Sequence, residues 1–185
     1  MAMLRSVKNV VHNYTEAEVK VREATSNDNW GPSTTILQEI SDLTQNQIAY
    51  SEVMAMLWKR LNDHGKNWRH VDKSLIVIDY LVRNGSDRVC NQCKENIFVI
   101  ETLKNFQHIE KNGQDMGRSI RQKADNLVKL LKDEELLKEA KDKAKVTRQR
   151  LMESGHAVSS LREFVLGTFF SREEITIFVT YIIVL

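Results

Sequence analysis

The stretch KRLNDHGKNWRHVDK, residues 59–73, gathers the groups most able to do chemistry. Lys59, Arg60, Lys66, Arg69, His70 and Lys73 crowd a helix–loop–helix junction, against only Asp63 and Asp72. Charged donors converging near a helix N-terminus suit an anion, because free backbone N–H groups and the helix dipole both favour phosphate. The same residues also fit a solvated corner in which His70 caps a helix or bonds locally. Other reactive groups are sparse. Cys90 and Cys93 have CxxC spacing, but zinc needs two further ligands, and His70 and His108 offer no partnered spacing. A thioredoxin-like role needs a βαβ setting that is missing here. No GxSxG, HExxH or Walker loop occurs, and the five histidines are scattered. We expect no enzyme, no cofactor and no metal.

The second informative stretch is MAMLRSVKNVVHNY at the start of the chain. At about 100° per residue on a helix, Met3, Val7, Val10 and Tyr14 share one narrow sector, with Leu4 and Val11 widening it. Arg5, Lys8 and His12 occupy the next sector, and no acidic residue precedes Glu16. A basic face beside an apolar stripe suits a helix lying in an anionic membrane surface. It equally suits a terminal helix docked on its own core. A helix of about a dozen residues is marginal alone in water, so it needs one surface or the other. Its apolar run is too interrupted for a secretory signal, and Ala2 excludes myristoylation.

The elements that must position these groups are helical. One proline and seven glycines in 185 residues leave few breakers, and 42% hydrophobic with 28% charged residues fits a soluble globular chain. The net charge of +2 means that any affinity for phosphate comes from local clustering. Two cysteines make no disulfide framework, which points to a reducing, cytosolic setting.

Thr15 and Glu18 form a capping box, so a helix starts there and runs to about Thr25. SNDNWGP is a loop anchored by Trp30, and Ser33 or Thr34 caps the next helix. Thr44 with Gln47 reads as another box, opening a helix that ends near Gly65. Residues 66–84 contain LIVIDYLV and should form the central, most buried helix, stopped by Gly85. A further helix from Ser86 turns Val89, Cys93, Ile97, Ile100 and Leu103 inward. HIEKNGQDMG is a loop, residues 118–132 form a helix, and a charge-laced helix follows. The expected fold is all-α, a superhelix of seven to eight short helices preceded by a conditional amphipathic one.

The last segment, ITIFVTYIIVL, is β-branched and about half the length needed to span a bilayer. Extending it back to Phe164 would bury Arg172, Glu173 and Glu174, so it is not expected to be a tail anchor. A strand packed on the domain or a terminus of little function fits better.

VHNYTEAEVKVREATSNDNWGPS, SEVMAMLWKRLNDHGKNWRHV and QCKENIFVIETLKNFQHI together closely resemble the epsin N-terminal homology (ENTH) domain over residues 3–152. The resemblance implies a superhelix that binds phosphatidylinositol 4,5-bisphosphate on the cytosolic plasma membrane during clathrin-mediated endocytosis. It implies an N-terminal helix that orders over the headgroup and inserts its apolar face. Carried over, the headgroup ligands are Arg5, Lys8, Arg22, Asn27, Arg60, Lys66 and His70, and the inserted residues include Met3, Leu4, Val7 and Val10. Family partners are clathrin, adaptor complexes, EH-domain proteins and ubiquitinated cargo, credited to the family rather than to these residues. The location implied is peripheral, on the inner face of the plasma membrane in clathrin-coated pits.

The chain departs from the family at Leu4-Arg5, where animal members often carry two basic residues, and at Asn29, where proline is usual. Asp72 follows a site where tyrosine is common and adds negative charge near His70. The implied organisation is a membrane-inserting helix over residues 1–14, a helical domain over 15–153 and a divergent hydrophobic tail over 154–185. Two other functions are consistent with the residues. A VHS-like superhelix would bind a peptide without membrane insertion, and a nucleic-acid binder would read phosphate through the basic corner. Near-neutral charge and the lack of aromatic platforms count against the latter. For the lipid reading, protonated His70 should raise affinity as pH falls through the histidine range.

Overall fold

Side-chain caps start several helices of this chain, and a computed structural model describes residues 7 and 9–169, with side chains through Glu153. Two compact units divide the chain, Met1–Asp142 and Lys143–Leu185. The helices are α1 (Glu16–Ala24), α2 (Thr34–Leu43), α3 (Gln47–Leu61), α4 (Trp68–Asn84), α5 (Asp87–Glu95), α6 (Ile97–Thr102), α7 (Gly117–Lys132) and α8 (Glu134–Phe169). Short 3-10 turns, Gly65–Asn67 and Leu103–Asn105, precede α4 and follow α6. Among the described residues there is no strand, only an isolated bridge between Ile109 and Asp115. The all-α expectation holds.

The capping box at Thr15 forms as expected. Thr15 Oγ1 accepts from Glu18 N at 3.3 Å while Thr15 N donates to Glu18 Oε2 at 2.9 Å. Ser33 caps α2, accepting from Ile36 N at 3.3 Å. The box expected at Thr44 and Gln47 does not form. Asn46 Oδ1 instead accepts from Ile48 N and Ala49 N at 2.9 and 3.1 Å, an Asn cap placed one residue before the helix. Thr44 is buried, donating to Ser41 O at 2.6 Å and accepting from Ser86 N at 3.0 Å, so it fastens α2 to the start of α5. The single helix expected from Ser86 is broken at Asn96, whose side chain and backbone both donate to Gln92 O, at 2.9 and 3.0 Å. That competition with the helical ladder is what asparagine does in place of continuing a helix.

α4 is the central helix, as LIVIDYLV implies. It packs against α1, α2, α3, α5 and α7. Leu75, Val77, Ile78 and Leu81 have essentially no exposed surface. α8 is not short, running 36 residues. Its backbone stays helical past Glu153 to Phe169, and residues 175–185 lie outside the described residues. Within the second unit the helix is supported locally, with Gln149 Nε2 donating to Glu153 Oε1 at 3.0 Å. No helix among the described residues is long and apolar enough to cross a membrane.

The loop between α1 and α2 is held by a lysine rather than by its tryptophan. Trp30 is 72% exposed, so the expected aromatic anchor is absent. Lys73 is 5% exposed, and its Nζ donates to Ser26 O at 2.6 Å and Asp28 O at 2.8 Å. A buried ammonium is tolerable only with such acceptors around it. Replacing Lys73 with Met should therefore strand two loop carbonyls and cost about 1.5–3 kcal/mol. Urea denaturation should show the loss, and hydrogen exchange at residues 26–31 should quicken. Unchanged stability would mean that the loop closes without this lysine.

Candidate functional site

The basic corner is made by the reversal between α3 and α4. α3 closes at Asn62, and Gly65 takes φ +56°, a left-handed conformation that a side chain resists. The chain then winds through the 3-10 turn into α4, leaving Lys66 exposed and placing Arg69 and His70 in the first turn. Arg60, from the last turn of α3, meets His70 there.

His70 is largely buried, and its Nδ1 lies 2.7 Å from Asp63 Oδ2 and 2.7 Å from Arg60 Nη1. One ring nitrogen serves one partner at a time: protonated, it donates to the carboxylate; bare, it accepts from the guanidinium. Burial lowers the His70 pKa below its ordinary 6.5; the Asp63 hydrogen bond pulls it up and the Arg60 charge pushes it down, and the net effect is a decrease. The neutral ring therefore persists to lower pH than that of an unperturbed histidine. The expected rise in affinity across the ordinary histidine range has to be moved to more acidic pH.

Asp63 also draws in the neighbouring loop. Asn67 Nδ2 lies 3.5 Å from Asp63 Oδ1, and Asn27 Nδ2 donates to Asn67 Oδ1 at 3.0 Å. A continuous path runs from Asn27 through Asn67 and Asp63 to His70 and Arg60, with Lys66 beside Asn67. Arg22 enters from a different side. Its Nε donates to Asn9 Oδ1 at 2.9 Å, and its guanidinium lies 4.1 Å from the centre of the Tyr14 ring. It ties the N-terminal segment to the last turn of α1.

Val7 and residues 9–11 are helical, and the turn ends at Asn13, whose φ of +48° breaks the helix before the Thr15 cap. Val7, Val10 and Val11 are 55%, 78% and 73% exposed, so these three valines of the stripe are not docked on the core, whereas Tyr14 packs against it. Met3, Leu4, Arg5 and Lys8 lie outside the described residues.

Several members of the sequence cluster are not brought to the corner. Lys73 is used up holding the 26–28 turn. Arg69 stacks over Trp68 at 4.3 Å and faces Glu110. Asp72 does not act on His70: it accepts from Ser119 Oγ at 2.9 Å and pairs with Lys123 at 2.6 Å, on the side of α4 that meets α7. Two residues apart on a helix lie about 200° apart, which explains the separation. The residues missed from sequence are Asp63 and Asn67, the organisers. Asp63 sits three residues after Arg60 and seven before His70, and only the tight turn at Gly65 makes that spacing a contact.

Cys90 and Cys93 are buried, and burial pushes the Cys93 thiol up to about 12. Neither supplies a thiolate at neutral pH.

The ENTH domain family matches residues 14–137, which contain the whole described corner. Epsin-2 of Mus musculus is 57% identical over 156 residues, covering 84% of this chain and 26% of that protein. The chain thus spans about a quarter of the length of the curated relatives it matches. The ENTH domain of epsin-2 in complex with phosphatidylinositol 4,5-bisphosphate superposes with TM-score 0.71 and 47% identity, covering 76% of this chain and 99% of that one. A cryo-EM structure of helical ANTH and ENTH tubules on PI(4,5)P2-containing membranes gives TM-score 0.69 and 44% identity, covering 80% and 97%. With the family matched over the corner and the fold shared across nearly all of each solved domain, this chain belongs to the ENTH domain family.

Proposed function

We propose that this chain is a non-enzymatic phosphoinositide-binding module that curves membranes in clathrin-mediated endocytosis. The observation that carries the reading is the Asn27–Asn67–Asp63–His70–Arg60 path, which gathers donors from three separate segments around one corner. A related domain solved with the bisphosphate lipid, and another on tubulated membranes, support the ligand and the curvature. Arg5, Lys8, Arg22, Asn27, Arg60, Lys66 and His70 bind the headgroup. Met3, Leu4, Val7 and Val10 enter the bilayer. Residues 1–14 act as a wedge, 15–153 as the headgroup-binding domain, and 154–185 as a tail not needed for lipid. Binding places the chain on the inner face of the plasma membrane at coated pits. Clathrin, adaptor complexes, EH-domain proteins and ubiquitinated cargo are partners proposed for the whole protein.

The mechanism follows from what each group is doing without lipid. Lys66 is exposed and available to a phosphate as a point charge. Arg22 already holds Asn9, so a phosphate beside Arg22 lies within reach of the N-terminal turn. Ordering that segment on the headgroup aligns its apolar stripe with the bilayer. Each valine-sized side chain buried gains about 1.5–3 kcal/mol, so several together offset the entropy of ordering about a dozen residues.

Reversing Lys66 to Glu should weaken binding to bisphosphate-containing vesicles roughly 10- to 100-fold, with melting temperature unchanged. Equal vesicle binding would remove Lys66 from the site. Arg60→Glu is not an equivalent test, because it sets a second carboxylate beside Asp63 in a largely buried corner and should also cost stability.

His70 gives a second test through its proton. In the free protein its ring should titrate below 6.5 by NMR, and added headgroup should move the midpoint up, because phosphate favours the charged ring. The linkage has two signs. Folding loses stability as pH falls from 6.5 through the lowered midpoint, since the unfolded chain binds the proton first. Headgroup binding takes up a proton between the free and bound midpoints. A midpoint unmoved by headgroup would place His70 outside the contact.

Val7→Glu separates the wedge from the headgroup site. It should retain most affinity for the soluble headgroup while abolishing vesicle tubulation. Tubulation by this variant would show that the apolar stripe is not the wedge.

A further inference from the structure

The loop after the second 3-10 turn carries groups that the headgroup corner leaves unused. Its backbone is closed on itself: Glu110 N donates to Gln114 O and Gly113 N to Glu110 O, both at 2.9 Å, with Gly113 at φ +83°. Arg121 clamps it from α7, donating to Phe106 O at 3.0 Å and Asp115 Oδ2 at 2.7 Å. His108 stacks on Trp68 with ring centres 6.1 Å apart. The loop so fixed holds Ile109 outward, 69% exposed.

One exposed isoleucine is ordinary on a protein surface. Its setting gives it meaning. Ile109 lines a groove of about 520 Å³ together with Lys66, Trp68, Arg69 and Lys111. Glu110 also lines it, but its carboxylate faces Arg69 at 3.9 Å. Neither Lys66 nor Lys111 takes part in an ion pair among the described residues. Three cations against one engaged carboxylate leave the groove positive, with an apolar side chain standing beside it.

We propose that this groove is a second bilayer contact, in which Lys66, Arg69 and Lys111 meet the phosphates of ordinary anionic phospholipids and Ile109 seats in the interfacial region. Lys66 belongs to both the headgroup corner and the groove, so a membrane held at one lies against the other. An acidic peptide would satisfy the cations but would leave Ile109 in water. A surface that is anionic above and apolar below satisfies both. The proposal rests on the phosphoinositide reading and adds to it a sensitivity to background lipid charge.

The full chain is tested on vesicles of phosphatidylcholine and phosphatidylinositol 4,5-bisphosphate, with and without phosphatidylserine. Phosphatidylserine should strengthen binding of the native chain. Lys111→Gln should lose roughly fivefold of affinity on serine-lipid vesicles, the worth of one lysine near an anionic surface, and raised salt should shrink that loss. Ile109→Ser should lose about tenfold by giving up interfacial burial. Both variants should bind the soluble headgroup like the native chain and melt at the same temperature. An environment-sensitive fluorophore on Ile109→Cys should shift to the blue on serine-lipid vesicles, with Cys90 and Cys93 buried away from labelling. Unchanged vesicle affinity in both variants, or a fluorophore that stays in water, overturns the second contact. A native chain that ignores the soluble headgroup yet still responds to phosphatidylserine and Lys111→Gln overturns the phosphoinositide reading and leaves the groove standing.

Discussion

One carboxylate makes the corner possible. Asp63 stands where α3 ends and α4 begins, and it is the negative centre around which Arg60, His70 and Asn67 are arranged. Without it, Arg60 would lose its carboxylate partner at the reversal, and His70 and Asn67 would lose the acceptor they share. With it, the reversal is closed by hydrogen bonds, and the corner still carries an excess of positive charge through Lys66. Removing one partner from such a cluster leaves a largely buried charge uncompensated, which costs more than the pair itself contributes. The proposed ligands and the bonds that hold the turn are therefore the same residues.

This arrangement also sets how an anion can compete. A phosphate arriving at Arg60 and His70 meets groups already bonded to Asp63, so its gain there is a difference between two acceptors. Lys66 has no such engagement among the described residues and would offer its full charge. Burial lowers the His70 pKa, so any charge it brings to the proposed site depends on pH in a way that a lysine's does not. As proposed, the site would combine the standing charge of Lys66 with a charge on His70 that varies with pH.

What could be read from the sequence divides along the range of the interactions. Short-range signals carried well: the Thr15 box, the Gly65 turn, the Ser33 cap and the apolar run of α4 need only neighbours within four residues. Signals that depend on distant partners did not. Thr44 has the spacing of a capping box, yet its hydroxyl is claimed by Ser41 and Ser86, while Asn46 takes over the helix start. Trp30 looks like an anchor and is exposed, because the loop it sits in is already fixed by Lys73 from α4. Lys73 and Asp72 looked like site electrostatics, and both are spent on packing contacts formed 45 to 51 residues away in sequence. Of the candidate headgroup residues, Asn27, Arg60 and His70 lie on one hydrogen-bonded path, Lys66 adjoins it and Arg22 attaches to the N-terminal turn. Arg5 and Lys8, like Met3 and Leu4, lie outside the described residues.

The placement of the corner follows from α4 itself. Packed against five others, α4 buries Val71, Leu75, Ile78 and Leu81 along its middle, and this face leaves no room for a polar ligand. Its C-terminal end is closed too. Gly85 N donates to Leu81 O at 2.7 Å, and a Cβ on Gly85 would meet that same oxygen at 2.7 Å and Thr44 Oγ1 at 3.2 Å. The first turn of α4 reaches the surface with polar side chains where α3 delivers Arg60 and the α1–α2 loop delivers Asn27. Toward the other end Asp79 and Arg83 also reach the surface, but they pair with each other at 2.8 Å, so the unbalanced positive charge beside this helix gathers at its first turn.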